Sequence, residues 1–309
     1  MIAPIDFIKE KYIEPNKITQ DKLCEILQIG KKTISELYQK KRGFTIHTAK
    51  KFAKFFDLKP EFILLKQMEY DLSLDKENYD FIIVNGENSA GGFGITAKIA
   101  NKMFSSGVDV ITLGNHSWDR RDIYSYIDEN KNLIRPYNFS KKAPGNGFTV
   151  VEKHGKKIAV LNLQGKVYMP LIDCPFLAAE EIVPQILETS DILVVDFHGE
   201  ATSEKQAMGW NLTGKASVVY GTHTHVQTAD ERILPGGTAY ISDAGMTGGH
   251  DGVLGMNKKE SIQKFKDGMP SKWMVCEDNI RINGLEVDIN ENTGKALSIS
   301  RVNLSYDEV

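Results

Sequence analysis

A chain of 309 residues, 41% apolar and 26% charged, has ample material for globular units with real cores. No apolar run approaches the ~18 residues a membrane span needs and no signal-peptide pattern opens the chain; Cys24, Cys174 and Cys276 are too few and too scattered for a disulfide framework or a cysteine zinc site. These features exclude a membrane partner and fit a cytoplasmic protein, while the net charge of −3 hides a split: positions 1–70 carry 14 basic against 9 acidic residues and positions 71–309 carry 24 against 32.

The basic head is patterned as short amphipathic helices. Thr19 is placed as an N-cap, with Leu23, Ile26 and Leu27 on the inner face of the helix it begins. The turn Gln28-Ile29-Gly30 leads into a second helix over 31–38, with Ile34, Leu37 and Tyr38 inward, and a further helix is expected from Thr48 to Phe56. Two short helices across a tight turn have the form of a helix-turn-helix. In that geometry the start of the second helix meets base edges, so Lys31, Lys32, Thr33 and Glu36 are expected to read DNA, with Gln20, Lys40 and Arg42 on phosphates. The alternative is a helical bundle that packs only against protein; the placing of the basic residues favours DNA.

From Pro4-Ile-Asp-Phe-Ile-Lys-Glu10 through Lys31-Lys-Thr-Ile-Ser-Glu36 and Lys41-Arg-Gly43 to Pro60-Glu-Phe62, the segment resembles HigA-type antitoxins of the XRE-like class. The resemblance implies a small all-α, DNA-binding repressor over 1–70, a homo-oligomer that also binds a toxin partner. Gln28 stands where that family usually has glycine, and a left-handed backbone there costs about 1 kcal/mol. Gly30 replaces the usual Ser/Thr cap at a cost of a few tenths of a kcal/mol.

A polar junction over 71–77 precedes a body over 78–309 in which strands alternate with helices. Tyr79–Val84 is expected as a strand running into Asn85-Gly-Glu-Asn88, followed by a helix from Thr96 to about Ser105 on Ile95, Ile99 and Met103. Val108–Leu113 leads to Gly114-Asn-His-Ser-Trp-Asp119, and Lys157–Leu163 and Asp191–Phe197 follow, the latter ending at His198. Ala216–Tyr220 runs into Gly221-Thr-His-Thr-His-Val-Gln-Thr228, read as a strand end, so that His223 and His225, two apart, project from one face. Antiparallel strands over 272–276, 281–288 and 296–304 finish an α/β fold with its site at the carboxyl edge of the sheet.

Four strand ends thus offer Glu87 and Asn88, Asn115 and His116, His198, and His223 with His225. Carboxylate, amide and imidazole without useful thiolates suit a pair of Fe, Mn or Zn ions rather than one structural zinc. Such a pair can activate a water and clamp a phosphoryl group for in-line attack. Asn115 would add a neutral oxygen, keeping the site positive for an anion, and His116, if unbound, could protonate a leaving oxygen. His47, His154 and His250 sit in no comparable motif.

Asn85-Gly-Glu-Asn88, Gly114-Asn-His-Ser-Trp-Asp119, Asp196-Phe-His-Gly-Glu-Ala-Thr-Ser-Glu-Lys205, Gly221-Thr-His-Thr-His-Val-Gln-Thr-Ala-Asp230 and Asp243-Ala-Gly-Met-Thr-Gly248 resemble the YmdB-type metallophosphoesterases. The resemblance runs from about residue 78 onward. It implies a metallophosphoesterase-like α/β sandwich, a di-iron or related bimetal centre, and hydrolysis of phosphodiesters including cyclic nucleotides. By position it gives Glu87 as the bridging ligand and Asn88 and His225 as ligands of the first metal. Asn115, His198 and His223 then serve the second, and His116 is the proton donor; Asp119 and Glu200 are assigned either a supporting or a catalytic part. The family opens with a strand ending in Gly-Asp, whose Asp binds the first metal. Here the helical head stands in its place, and neither Asp6, Asp71, Asp75 nor Asp80 has a matching motif. The expectation is an intact second-metal site and a weakened first one, with a non-catalytic body behind a DNA-binding head as the alternative.

Overall fold

Helices fill the start of the chain and sheets the rest in the computed structural model, which describes residues 3–60, 62–64, 66–67, 79–270 and 274–305. The first helices are α1 (Pro4–Ile8), running into a π-helical turn over Lys9–Ile13, then α2 (Gln20–Leu27), α3 (Lys31–Tyr38) and α4 (Ile46–Phe56). Thr19 caps α2 by accepting from the Lys22 N–H. Helix α4 starts two residues before Thr48, because the Thr45 hydroxyl caps it instead.

Gln28 ends α2 in the left-handed region at φ 51°, ψ 46°, and its carbonyl accepts from Lys51 Nζ at 2.7 Å. The strain expected of a non-glycine residue there is thus partly offset by a charged hydrogen bond. Leu23, Ile34, Leu37, Phe44, Phe52 and Ile63 close the core, with Phe44 edge-on to Phe52 at 4.9 Å. Each such fully buried side chain contributes about 1.5–3 kcal/mol. Ile26, expected on the inner face, lies at the rim of the apolar stripe and is exposed.

Residues 83–134 form a small parallel sheet, β1 (Ile83–Asn85), β2 (Val110–Thr112) and β3 (Leu133–Ile134), with α5 (Ala97–Ser106) and α6 (Ile123–Glu129) between its strands. A six-stranded sheet follows, of β4 (Phe148–Lys153), β5 (Lys156–Gln164), β6 (Ile192–His198), β7 (Val218–Thr222), β8 (Arg232–Leu234) and β9 (Thr238–Ile241). Its order is β4-β5-β6-β7-β9-β8; the four central strands are parallel and the two edges antiparallel. Helices α7 (Pro175–Leu187) and α8 (Thr202–Asn211) connect its central strands. A third, antiparallel sheet joins β10 (Gly248–Gly249), β11 (Ile280–Ile289) and β12 (Ala296–Ser305), with α9 (Lys258–Asp267) between β10 and β11.

Alternation along the strands sorts the layers. Ile111 and Leu133 face α5 and α6, whereas Val110 and Ile134 face Val160 of the large sheet. Leu193, Val195 and Phe197 face α7 and α8, whereas Ile192 and Val194 face inward. Two sheets therefore pack face to face with helices outside, an α/β sandwich. The inward rows turn polar at the carboxyl ends, where Asn85, Thr112, Asn162, Gln164, Asp196, His198 and Thr222 succeed the apolar residues.

Two expectations change. The strand expected over 272–276 can be followed only from Met274, because residues 271–273 lie outside the described residues; there Val275 makes one isolated bridge to Met256. Strand β7 stops at Thr222, so neither His223 nor His225 is in extended backbone; both have positive φ, 103° and 65°. Residues 71–77 lie outside the described residues. No described helix is long and apolar enough to cross a membrane.

Candidate metal centre

His198 ends β6 fully buried between the sheets. Its Nδ1 lies 3.0 Å from Thr222 Oγ1, and Thr222 donates its own proton to Asp196 Oδ1 at 2.6 Å. The threonine oxygen is left to accept, so Nδ1 of the ring carries hydrogen and Nε2 presents a lone pair when the ring is neutral. Asp196 is itself buried and also accepts from Thr112 Oγ1 at 2.5 Å and Asn85 Nδ2 at 3.0 Å.

Around His198 Nε2 stand Asn115 Oδ1 at 2.9 Å, Glu87 Oε1 at 3.1 Å and His223 Nδ1 at 3.1 Å. His223 directs its other nitrogen, Nε2, at Glu200 Oε2, 3.2 Å away, so its Nδ1 is also free to present a lone pair. Lone pairs from four groups converge on one buried volume, and a single ring N–H could serve only one of them. A cation among them satisfies all four. The nearest ligand atoms of Glu87, His198 and His223 lie within 4.8 Å of one another, the one such cluster among the described residues.

The electrostatics agree. Burial would raise the Glu87 carboxyl, but the charge and hydrogen bond of His198, with the His116 N–H, outweigh it and hold it at about 2. Burial likewise disfavours charge on His198, yet the facing Glu87 carboxylate raises its pKa. Burial, then the neighbouring His198 charge, hold His223 down at about 4, so its ring is neutral near pH 7. The pocket calls for positive charge at His198 Nε2, which a proton or a metal ion would supply.

Gly114 is what lets β2 reach this point. A Cβ there would lie 2.3 Å from His198 Nε2, so any side chain would displace the ring. The chain beyond it delivers Asn115 to His198 and turns the His116 N–H onto Glu87 Oε1 at 2.8 Å. The His116 ring is partly exposed, packs edge-on against Phe93, and places Nδ1 2.8 Å from Asp119 Oδ2.

Asn88 and His225 form a separate pair. Asn88 Nδ2 lies 3.0 Å from His225 Nε2, and Asn88 Oδ1 is buried without a partner. His225 Nδ1 donates to the Leu254 carbonyl at 3.2 Å, leaving Nε2 as an acceptor. A half-turn of the amide would present its oxygen to a cation shared with His225. Asp6 is bound at 2.7 Å to Lys40 in the helical head, and Asp80 is exposed. Asp71 and Asp75 lie outside the described residues.

Sequence reasoning gave no role to Asp196, Thr222 or Thr112. The signal lay in Ile192-Leu-Val-Val-Asp-Phe-His198: a carboxylate two residues before a histidine shares its face of the strand, in an otherwise apolar run. Of the other histidines, His47 is exposed on α4, His154 makes the β4–β5 turn, and His250 Nε2 bonds to the Met246 carbonyl.

In the head, Lys31 and Lys32 open α3 with side chains 73% and 88% exposed. Lys31 pairs with Asp21 at 2.7 Å, while Lys32 and Arg42 lie 3.8 and 3.7 Å from Glu36. Gln20 opens α2 and Thr33 is half-buried on α3. These ion pairs are solvated and worth little, so they would yield to phosphate.

Comparison with known proteins fits both parts. A model described as YmdB-like protein matches residues 65–302, and one described as a Cro/C1-type HTH DNA-binding domain matches residues 10–64. The 2',3'-cyclic-nucleotide 2'-phosphodiesterase of Bacillus subtilis (strain 168) is 48% identical over 229 residues, covering 74% of this chain and 87% of its own length. A hypothetical protein from Thermus thermophilus superposes with a TM-score of 0.73 at 34% identity, over 78% of this chain and 94% of that one. A novel phosphatase from Mycoplasma pneumoniae gives 0.71 at 33% identity, over 78% and 89%.

Proposed function

The chain belongs to the YmdB-like family, and from that premise we propose that it is a metal-dependent phosphodiesterase acting on cyclic nucleotides, with 2',3'-cyclic nucleotides the first class to try. The observation that carries this reading is the convergence of Glu87, Asn115, His198 and His223 on one buried point. Their donor set, two imidazoles, one carboxylate and one amide oxygen, fits Fe, Mn or Zn, with Fe first.

Asn115, His198 and His223 would hold one ion, Asn88 and His225 another, with Glu87 between them. Bound metal supplies Lewis-acid stabilisation of the phosphoryl oxygens and lowers the pKa of a water. The chain's own residues do the rest. Asn115 would hold the ion without adding charge, leaving the pocket attractive to a phosphodiester anion. Glu200 orients the His223 ring through Nε2. Asp119 holds His116 at Nδ1, so the opposite nitrogen can give a proton to the leaving oxygen. His116→Ala is expected to lower turnover about 10²–10⁴-fold with metal content unchanged.

The first position would offer only one imidazole and an amide beside Glu87, so it should bind more weakly. Elemental analysis of protein purified without added metal should give about one ion per chain, and added Fe or Mn should support hydrolysis of a 2',3'-cyclic nucleotide. No ion and no hydrolysis would defeat the proposal; two tightly held ions would show the first position to be complete.

A second reading adds DNA binding by a head module over 1–70, ahead of the 71–77 junction and a body over 78–309. Its support is the match over 10–64 and the exposure of Lys31 and Lys32 at the start of α3. Binding should weaken steeply with salt; Lys31→Ala with Lys32→Ala should cost affinity and relax sequence preference, while Lys40→Ala with Arg42→Ala should reduce the salt slope by about 2. The antitoxin resemblance extends this reading to a toxin partner and a homo-oligomer, which co-purification and light scattering would test. The three free cysteines are in keeping with a cytoplasmic location.

A further inference from the structure

A buried ion pair that touches neither histidine holds the loop carrying both. The residues after Thr222 turn with His223 at φ 103° and His225 at φ 65°. Non-glycine residues persist in that region only where their surroundings fix them. The fixed point is Thr224, between them. Its N–H donates to Asp243 Oδ2 at 3.1 Å and its hydroxyl to the same oxygen at 2.7 Å.

The third donor to that oxygen is Lys205 Nζ at 2.6 Å, from α8; the two side chains are 2% and 1% exposed. Oδ1 of Asp243 accepts from the Gly245 N–H at 2.9 Å. The Asp243 backbone is tied as well, its N–H to Thr228 Oγ1 at 2.9 Å and its carbonyl to the Thr228 N–H at 3.1 Å. The two segments run in direct contact: a Cβ on Gly221 would lie 1.8 Å from the Ser242 carbonyl oxygen. The loop is therefore anchored at its middle by a residue that cannot easily move.

With Thr224 drawn down onto Asp243, its neighbours turn to different partners. His223 Nδ1 meets His198, and His225 Nε2 meets Asn88. In extended backbone the two rings would share one face. An apolar pair could replace a buried ion pair without loss of stability, but it could not accept the two Thr224 donors.

We propose that Asp243, held by Lys205, and Thr224 are positioning residues that divide His223 and His225 between two cation positions and set the spacing of the centre. The inference rests on the metal-centre reading above. Its test is cobalt(II) titrated into the metal-free full-length chain, followed by d–d absorption, with the thermal unfolding of each metal-free variant recorded beside it. Thr224 is half-buried, so its substitution does not open the core.

Thr224→Ser, which keeps the hydroxyl, should bind within about twofold of wild type. Thr224→Val, of the same shape without the donor, should bind about tenfold more weakly with an altered spectrum and an unfolding midpoint close to wild type. Asp243→Asn, of the same size without the charge, should lose about ten- to a hundredfold. Unchanged cobalt binding in Thr224→Val or Asp243→Asn overturns the proposal. So does an equal loss in Thr224→Ser and Thr224→Val, which would assign the effect to methyl packing. Wild-type protein that binds no cobalt would defeat the metal reading first, and this inference with it.

Discussion

The two sides of the candidate centre are built to different standards. On the His198 side both Glu87 and His198 are 1% exposed, and a chain of hydrogen bonds through Thr222 and Asp196 to Thr112 fixes the ring from behind. On the His225 side a half-buried histidine leans on the carbonyl of Leu254, itself 53% exposed, and on an asparagine whose oxygen lacks a partner. The ligand types are similar. What differs is how much of the surroundings is committed to aiming them and to excluding water, and both govern affinity.

The sharpest attempt to break this comparison is His198→Ala. Retained metal should fall from about one ion per chain to none, and urea unfolding should show a loss of about 3–5 kcal/mol, because Glu87 is left buried and unpaired. Thr222→Val keeps every ligand and removes the relay behind His198; metal affinity, read by competition with a chelator, should fall about 10–100-fold. If it does not, packing alone aims the ring.

His225→Ala probes the other side. The tightly held ion should remain, with affinity within about twofold of wild type, and its loss would show that the two positions fill together. A further effect is in acid. In the metal-free chain Glu87 titrates at about 2 against an ordinary value of 4.5. A carboxyl depressed on folding stabilises the protein above the unfolded value and loses that contribution as pH falls through the folded one. Glu87→Gln should therefore flatten the fall in stability between about pH 4.5 and 2, as followed by circular dichroism.

Much of this was legible beforehand because it is local. Apolar runs closed by Asn-Gly-Glu-Asn or Gly-Asn-His marked β1 and β2, and the left-handed Gln28 followed from the antitoxin resemblance, since that family usually has glycine there. An α/β fold with Glu87, Asn115, His198 and His223 after its strand ends was legible in the residues, whereas its sandwich form came from the family resemblance. The backbone of His223 and His225 was not, because their conformation is imposed by Asp243, 19 residues beyond Thr224 in sequence. The relay behind His198 was hidden for a like reason: Thr112 and Asp196 meet across two sheets, and no spacing announces that contact. Of the strand expected at 272–276, the described part pairs as a single bridge from Val275 to Met256.

Gly114 has a consequence for how such a gene can change over generations. Every amino-acid replacement at that codon adds at least a Cβ, and the first carbon added would lie 2.3 Å from His198 Nε2. The mildest mutation available there, to alanine, pushes against the central imidazole while touching none of the helices over Pro4–Phe56. A lineage could lose hydrolysis in one such step and keep the head intact. Residue 114 is accordingly the letter to read first in any relative with the same fusion, because a side chain there would press on the imidazole at the heart of the candidate centre.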